Sequence, residues 1–186
     1  ENYYTYLNKI KQAVNLTKNQ VMTFDNQLIK SYFYAMSNGY TTTSLSVFNE
    51  DLPYLNTIMP TMDNENTTKF LVTKKISKSE FCDILNIDCT RLNIKKIIND
   101  YSNRVETISI NEKTFTGIEI RKLFGLRSTD FSITEENGNI IFTTKGYGHG
   151  VGMSQYGANA MAKEGSSYKD ILEYYYQGVT IEEYKI

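Results

Sequence analysis

The stretch KGYGHGVGMSQYGANAMA, residues 145–162, has a composition that core packing alone does not explain. Five glycines fall within its first thirteen residues, together with the only histidine of the chain, His149. The alternating glycines are Gly146, Gly148, Gly150 and Gly152. Because glycine has no Cβ, one face of this loop is predicted to be open to a flat or bulky group that approaches the backbone.

The residues around this loop predict a strand, a tight polar loop and then a helix. Ser154 stands at the position of an N-cap, before a helix of small residues that Gly165 ends. The stretch therefore reads as a binding loop supported by regular structure. The alternative is a glycine-rich turn beside a core histidine.

Several segments together resemble one protein family. GHGVGMSQYGA, followed by YYYQGV near the C-terminus, resembles the hallmark of the stage II sporulation protein D family. This family comprises peptidoglycan lytic transglycosylases and includes the amidase-enhancer proteins. The segments KIKQAVNLTKNQVMTFDNQLIKSYFYAMSNGYT, LPYLNTI and INEKTFTGIEIRKLFGL occur in the family's order, so the resemblance spans nearly all 186 residues.

The resemblance implies cleavage of the β-1,4 bond between N-acetylmuramic acid and N-acetylglucosamine in denuded glycan strands, with an anhydro-muramic product. One carboxylic acid is needed, to protonate the leaving oxygen and then accept the proton of the C6 hydroxyl. In the family, a Pro-x-Glu-Ala-x-x-Ala helix carries this acid. This sequence has no such segment, so we expect no catalytic residue here and interpret the chain as the C-terminal part of a longer protein.

The resemblance also implies a cellular setting. The expected process is engulfment during endospore formation, with the stage II sporulation proteins P and M as partners. The expected location is extracytoplasmic, anchored to the mother-cell membrane and facing the intermembrane space, with the anchor outside this chain.

Two loops supply the predicted glycan-binding residues. Because the family places the Ser-Asn-Gly loop in the substrate cleft, we expect it to turn sharply and present the Ser37 hydroxyl outward, although a plain turn is the alternative. Gln155 offers both a donor and an acceptor to an N-acetyl group. Ala35 and Met36 stand where many members have Ser-Thr, which removes two hydroxyl groups. The predicted site is Tyr34, Ser37, Asn38, Gly39, His149, Gly150, Gly152, Ser154, Gln155 and Tyr156.

Residues 41–67 contain carboxylates that could serve as the general acid in place of one upstream. The segment is polar and holds both prolines, so it is predicted to be a long loop over the edge of the cleft. Glu50, Asp51 and Asp63 are carboxylates of this segment. Because consecutive acids usually face water, we interpret all three as solvated loop residues.

Composition narrows the class of ligand. A formal net charge of −1 provides no electrostatic basis for binding nucleic acid. The chain has 15 Tyr and 9 Phe but no Trp, and tyrosine rings are flat amphipathic surfaces on which sugars can stack. The sequence contains no run of about 18 apolar residues, so no membrane span is predicted.

Cys82 and Cys89 could pair in an oxidising compartment or remain thiols. Because Cys82 is predicted to lie on a helix and Cys89 just beyond it, the spacing favours two thiols. Nothing in the spacing brings His149 near these cysteines, so no metal or other cofactor is expected from this chain. Zinc remains possible through residues outside it.

The predicted fold class is α+β, with a mixed, largely antiparallel β-sheet and short helices forming a glycan-binding cleft. Residues 1–68 and 131–186 are assigned to the cleft domain, and residues 69–130 to a small mixed α/β insertion. Apolar periodicity predicts a helix over residues 3–14 that caps a sheet. A first hairpin is predicted over residues 20–24 and 28–35, and a second over residues 131–134 and 140–144.

Two alternatives to a part of an enzyme remain. A non-catalytic module would use the same cleft to hold glycan strands and present them to a partner amidase. A structural interaction domain would use the glycines only for packing.

Overall fold

The computed structural model describes residues 2–56, 60–63, 67–98 and 101–184. Its helices and strands are mixed along the chain, which confirms the α+β class. The helices are α1 (Asn2–Leu16), α2 (Ser44–Phe48), α3 (Lys78–Leu85), α4 (Gly117–Leu123), α5 (Gln155–Lys163) and α6 (Tyr168–Tyr175). The strands are β1 (Gln20–Phe24), β2 (Gln27–Leu28), β3 (Phe33–Tyr34), β4 (Leu71–Ser77), β5 (Ile94–Ile98), β6 (Val105–Ile110), β7 (Lys113–Thr116), β8 (Phe131–Glu136), β9 (Asn139–Lys145), β10 (Met153–Ser154) and β11 (Thr180–Glu183).

The chain divides into two compact units, of which the smaller is Glu1–Lys30 with Gly178–Ile186. In this unit, β1 lies between β11 and β2 in an antiparallel sheet. Asp25 and Asn26 make the predicted turn with φ of 50° and 60°, which only short polar residues and glycine adopt readily.

Two details of the smaller unit differ from the sequence prediction. The strand predicted over residues 28–35 ends after Leu28, and the chain forms a separate short strand, β3, in another sheet. The predicted helix α1 is present, but none of its described residues is buried, so its predicted packing on a sheet is not observed.

The larger unit, Ser31–Gln177, contains the main apolar core. Two three-stranded antiparallel sheets contribute to it, in the orders β4-β9-β8 and β5-β6-β7. Alternate residues of β9 point inward, because successive side chains of a strand lie on opposite faces. The fully buried rings of Phe81, Phe124 and Phe142 pack with centroids 4.8 to 6.0 Å apart.

Cys82 and Cys89 form a disulfide with a Cα–Cα distance of 5.9 Å, so the preference for two thiols was wrong. Asn86 follows α3 in a left-handed conformation, with φ of 50° and ψ of 57°. This C-cap turns the chain back, and the Ile87 N–H donates to the Cys82 carbonyl. The sequence interpretation did not include this reversal.

Short-range signals predicted several boundaries correctly. The Ser154 side chain caps α5 as predicted. At α4, Thr116 and Glu119 form a capping box. Strands β8 and β9 form the second predicted hairpin. In the described part of residues 41–67, the predicted long loop contains α2, which Thr43 caps, and a 3₁₀ helix over Pro53–Leu55. Residues 57–59 and 64–66 lie outside the described residues.

Candidate functional site

The two loops predicted to form one site do lie together, because short pairings join them. Strands β3 and β10 pair in parallel, with Tyr34 opposite Ser154. In a separate antiparallel bridge, Met36 and Tyr147 exchange two backbone hydrogen bonds of 2.9 and 2.7 Å. The Thr42 N–H also donates to the Gly150 carbonyl at 2.8 Å. We call residues 146–152 the glycine loop and residues 37–39 the Ser-Asn-Gly loop.

The open face of the glycine loop is filled by the protein itself. A Cβ at Gly148 would lie 2.6 Å from the Tyr34 Cβ, and a Cβ at Gly150 would lie 2.5 Å from the Arg104 guanidinium. A Cβ at Gly152 would overlap the Tyr32 carbonyl oxygen. Glycine is therefore required for close approach of the chain, and the face that was predicted to be open is occupied by the protein itself at these positions. Whether Gly150 and Gly152 contact a glycan stays a prediction.

The Ser37 hydroxyl is also placed differently from the prediction. Ser37 is completely buried, and its Oγ donates to the Tyr40 carbonyl at 2.9 Å. The Gly39 N–H in turn donates to Ser37 Oγ at 3.1 Å. The hydroxyl thus closes the turn from inside and is not presented outward.

Asp63 is the residue that joins the Ser-Asn-Gly loop to α5. Its Oδ1 accepts from the Ser37 N–H at 2.9 Å and from Ser154 Oγ at 2.7 Å. Ser154 Oγ also accepts from the Gly157 N–H at the start of α5. The interpretation of Asp63 as a solvated loop acid was therefore wrong. Of the two other acids considered, Glu50 accepts from the Tyr32 hydroxyl at 3.2 Å and Asp51 is exposed.

Tyr175 closes the inner side of this contact. The Tyr175 hydroxyl and Asp63 Oδ2 both lie against the α-carbon of Gly157. Burial raises the pKa of Tyr175 well above its usual range, and the Asp63 and Tyr34 groups raise it further. Burial likewise raises the pKa of Tyr34 to about 12. Both phenols are therefore protonated at neutral pH.

Asn38 connects the Ser-Asn-Gly loop to the segment before β6. Its Nδ2 donates to the Ser102 carbonyl at 2.7 Å and to Asp130 Oδ2 at 2.8 Å. Its Oδ1 accepts from Arg104 Nη2 at 3.2 Å. Arg104 is buried, and this burial lowers the pKa of its guanidinium. Asn38 is thus held inside the protein by three polar contacts.

His149 lies half-buried among aromatic rings. Its ring centroid is 5.2 Å from that of Phe48, 5.7 Å from Tyr34 and 6.3 Å from Tyr32. The Val151 N–H donates to Nδ1 at 3.1 Å, which places the proton of the neutral ring on Nε2. Burial lowers the pKa of His149, and the charges of Arg121 and Arg104 lower it further, whereas a backbone hydrogen bond with Phe33 opposes the shift.

An open cavity of about 280 Å³ lies on the outer side of the joined loops, and we call it the tyrosine cavity. Its lining residues are Ala35, Met36, Lys69, Arg127, Tyr147 and Tyr156. Tyr147 is half exposed, and the Arg127 guanidinium lies 5.2 Å from the centre of its ring. Of the predicted site residues, only Tyr156 lines this cavity, with the exposed Gln155 beside it in sequence.

The sequence interpretation missed three lining side chains of the tyrosine cavity. Tyr147 lies inside the glycine-rich motif, and its place between two glycines was a signal that could have identified it. Lys69 and Arg127 carry no local signal, since each is a single cation in an unremarkable segment.

Neither a metal cluster nor a membrane span is found in the parts of the chain that the structure describes. Among those residues, no three His, Cys, Asp or Glu side chains are arranged to hold a metal ion. No helix within the same ranges is long and apolar enough to cross a bilayer.

Comparison with known proteins identifies relatives over nearly the whole chain, although no family model matches it. Stage II sporulation protein D of Bacillus subtilis and that of Bacillus amyloliquefaciens are each 40% identical over 183 residues, which is 97% of this chain and 53% of theirs. The amidase enhancer of Bacillus subtilis is 25% identical over 97% of this chain and 34% of its own length. The chain thus spans about half the length of its two 40%-identical relatives. From this identity, and from the hallmark residues that join its two loops, the chain belongs to the stage II sporulation protein D family.

Proposed function

We propose that this chain builds the glycan-binding face of a lytic transglycosylase that cleaves denuded peptidoglycan strands. The observation that carries the proposal is the tyrosine cavity, in which two tyrosine rings line an open surface beside two cations. Aromatic faces with polar neighbours suit sugar rings, which are apolar on their faces and polar at their edges. The names of the relatives support a role in the sporulation cell wall.

In this proposal, the general acid comes from a part of the protein outside this chain. A general acid must deliver a proton to the leaving oxygen. Asp63 instead accepts two hydrogen bonds on one oxygen and joins the Ser-Asn-Gly loop to the start of α5. No carboxylate is among the residues that line the tyrosine cavity. The chain would then position the strand, which by itself contributes substantially to the rate.

We further propose the engulfment setting for the whole protein. It would act outside the cytoplasm, anchored to the mother-cell membrane, with the stage II sporulation proteins P and M as partners. The 40%-identical relatives named stage II sporulation protein D support this setting.

A second candidate is a non-catalytic module that holds glycan strands for a partner amidase. The relative named amidase enhancer favours it, as does a cavity lined by aromatic and basic residues without a carboxylate. Both candidates use the same surface, and they differ in whether a bond is cleaved.

The test is mass spectrometry of denuded glycan strands after incubation with this chain and, separately, with the full-length protein. Anhydro-muramic products from the full-length protein alone support the proposal, and products from neither favour the amidase-enhancing module. Products from the short chain that disappear with Glu50→Gln or Asp63→Asn would place the acid in residues 41–67 and contradict the proposal.

A binding measurement tests the surface itself. Gln155→Ala and Tyr156→Ala should weaken retention on immobilised glycan strands while the thermal melt stays close to that of the parent chain. Tyr168→Ala, which removes a partly exposed tyrosine from α6, is the matched control. Unchanged retention in both test variants would exclude this end of α5 from the glycan-binding face.

A further inference from the structure

The two rings of the tyrosine cavity are held in place by one short segment. Tyr147 exchanges two backbone hydrogen bonds with Met36, and the Tyr156 N–H donates to the Ala35 carbonyl at 3.1 Å. Ala35 and Met36 are themselves lining residues of the tyrosine cavity. Because the backbone under both rings is fixed before a ligand arrives, binding costs less ordering of the protein.

The same cavity carries positive charge without a compensating acid. Arg127 Nη1 donates to the Lys69 carbonyl at 3.1 Å, so the two basic residues are held side by side. The Arg127 carbonyl accepts from the Gly148 N–H, which ties Arg127 to the glycine loop next to Tyr147. Neither Asp nor Glu is among the residues that line this cavity.

Two tyrosine rings, with a guanidinium over one of them and a lysine in the same cavity, match an anionic sugar better than a neutral one. The guanidinium of Arg127 keeps donors beyond the one bonded to Lys69, and a planar guanidinium pairs well with a carboxylate. The Lys69 ammonium is exposed and adds a second charge. The ligand chemistry that fits is therefore a sugar ring bearing a carboxylate.

We propose that the tyrosine cavity is a carboxylate-reading subsite, in which Arg127 and Lys69 bind the lactyl carboxylate of N-acetylmuramic acid while Tyr147 contacts its ring. This inference rests on the proposed function, since it takes peptidoglycan as the ligand. In a strand that carries stem peptides, the same carboxyl is part of a neutral amide. The subsite thus provides a physical reason for this surface to select strands without stem peptides.

The first test needs no substitution in the protein. Calorimetry would compare soluble denuded strands with the same strands after carbodiimide coupling of their lactyl carboxyls to methylamine. We expect amidation to weaken binding about tenfold, the usual size of one charge-assisted hydrogen bond. Binding of the free-acid strands should also weaken with added salt more steeply than binding of the amidated strands.

Variants then assign the effect to residues. Arg127→Gln and Lys69→Gln should each reduce affinity for the free-acid strands and leave affinity for the amidated strands unchanged. Arg127→Lys, which keeps the charge, should retain part of the preference. Lys163→Gln is the matched control. It removes an exposed cation at the end of α5, and this lysine is not among the residues that line the tyrosine cavity.

The outcomes separate this inference from the proposed function. Equal affinity for free-acid and amidated strands would overturn the carboxylate subsite while leaving a glycan-binding surface. A preference that persists in both Gln variants, with unchanged thermal melts, would also overturn it. Absence of binding to any strand, including chitin oligosaccharides, would overturn both.

Discussion

The apolar core around Phe142 and the loop region around Gly150 belong to one compact unit but are stabilised differently. The core consists of buried aliphatic and aromatic side chains from the sheets β4-β9-β8 and β5-β6-β7 and from α3 and α4. The loop region has buried polar groups, namely Ser37, Asn38 and Ser154, which are satisfied by hydrogen bonds across distant segments.

The comparison teaches that the two regions depend on opposite properties of a residue. In the core, stability comes from the volume that side chains fill, so removing atoms is costly. In the glycine loop, backbone segments approach so closely that adding one carbon atom is costly. The loop region can therefore hold the tyrosine cavity rigidly with little apolar material.

The largest expected effect on stability comes from removing a ring from the apolar core. Phe142→Ala should lower the free energy of unfolding by about 3 to 5 kcal/mol, because the ring is fully buried against Phe81, Phe124 and Phe131. Chemical denaturation measures it, with Thr143→Ala, a half-buried neighbour on β9, as the control. A loss below about 1 kcal/mol would show that this ring is not central to the core.

Two glycines with the same backbone angle test whether the glycine loop depends on close approach of the chain. Gly152 and Gly138 both have φ of 74°, but only Gly152 lies against another backbone, at the Tyr32 carbonyl. Each Ala substitution carries the strain of a positive φ, about 1 kcal/mol or more. We expect Gly152→Ala to destabilise the protein by about 2 kcal/mol more than Gly138→Ala does, because of the added overlap.

The same denaturation curves measure this difference. Equal losses in the two variants would mean that backbone angle alone requires these glycines. The loop region would then not depend on close approach, and the contrast with the core would weaken.

The smallest expected effect is a change in how stability depends on pH, and it tests the environment of His149 in the loop region. The fold lowers the pKa of His149 below its ordinary value of 6.5, mainly through burial. The unfolded chain therefore binds a proton more readily than the folded protein, and stability falls as pH decreases through about 6.5. His149→Gln should stay within about 1 kcal/mol of the parent chain at pH 7.5 and lose less stability between pH 7 and pH 5.

Unfolding midpoints measured at several pH values in this window provide the check. Parallel pH profiles for the two proteins would mean that His149 titrates alike in the folded and unfolded states. The interpretation of the aromatic environment around its ring would then be wrong.

Local signals in the sequence predicted much of the fold. The predicted cap Ser154 marks the start of α5, because its side chain accepts from a backbone N–H three residues later. Thr116 and Ser167 cap α4 and α6 in the same way. The hairpin of β8 and β9 follows from Asn137 and Gly138, which accept positive φ. These predictions hold because their causes lie within a few residues.

The candidate site was predictable only in part. The motif placed Tyr34, Ser37, His149 and Ser154 in one region, and the structure brings their loops together. It did not reveal that Asp63 links them, since a loop acid is usually solvated and nothing local marks the exception. Which of the grouped residues contact a glycan stays a prediction.

The sequence by itself determined the family, the α+β class and the starts of the principal helices, because hallmark residues, periodicity and caps are local properties. Only the tertiary structure decided that Cys82 pairs with Cys89, that Arg104 fills the space beside Gly150, and that Lys69, Arg127 and Tyr147 line one cavity. These contacts depend on chain reversals and on residues as far as 58 positions apart in the sequence. No short window of residues encodes proximity of that kind.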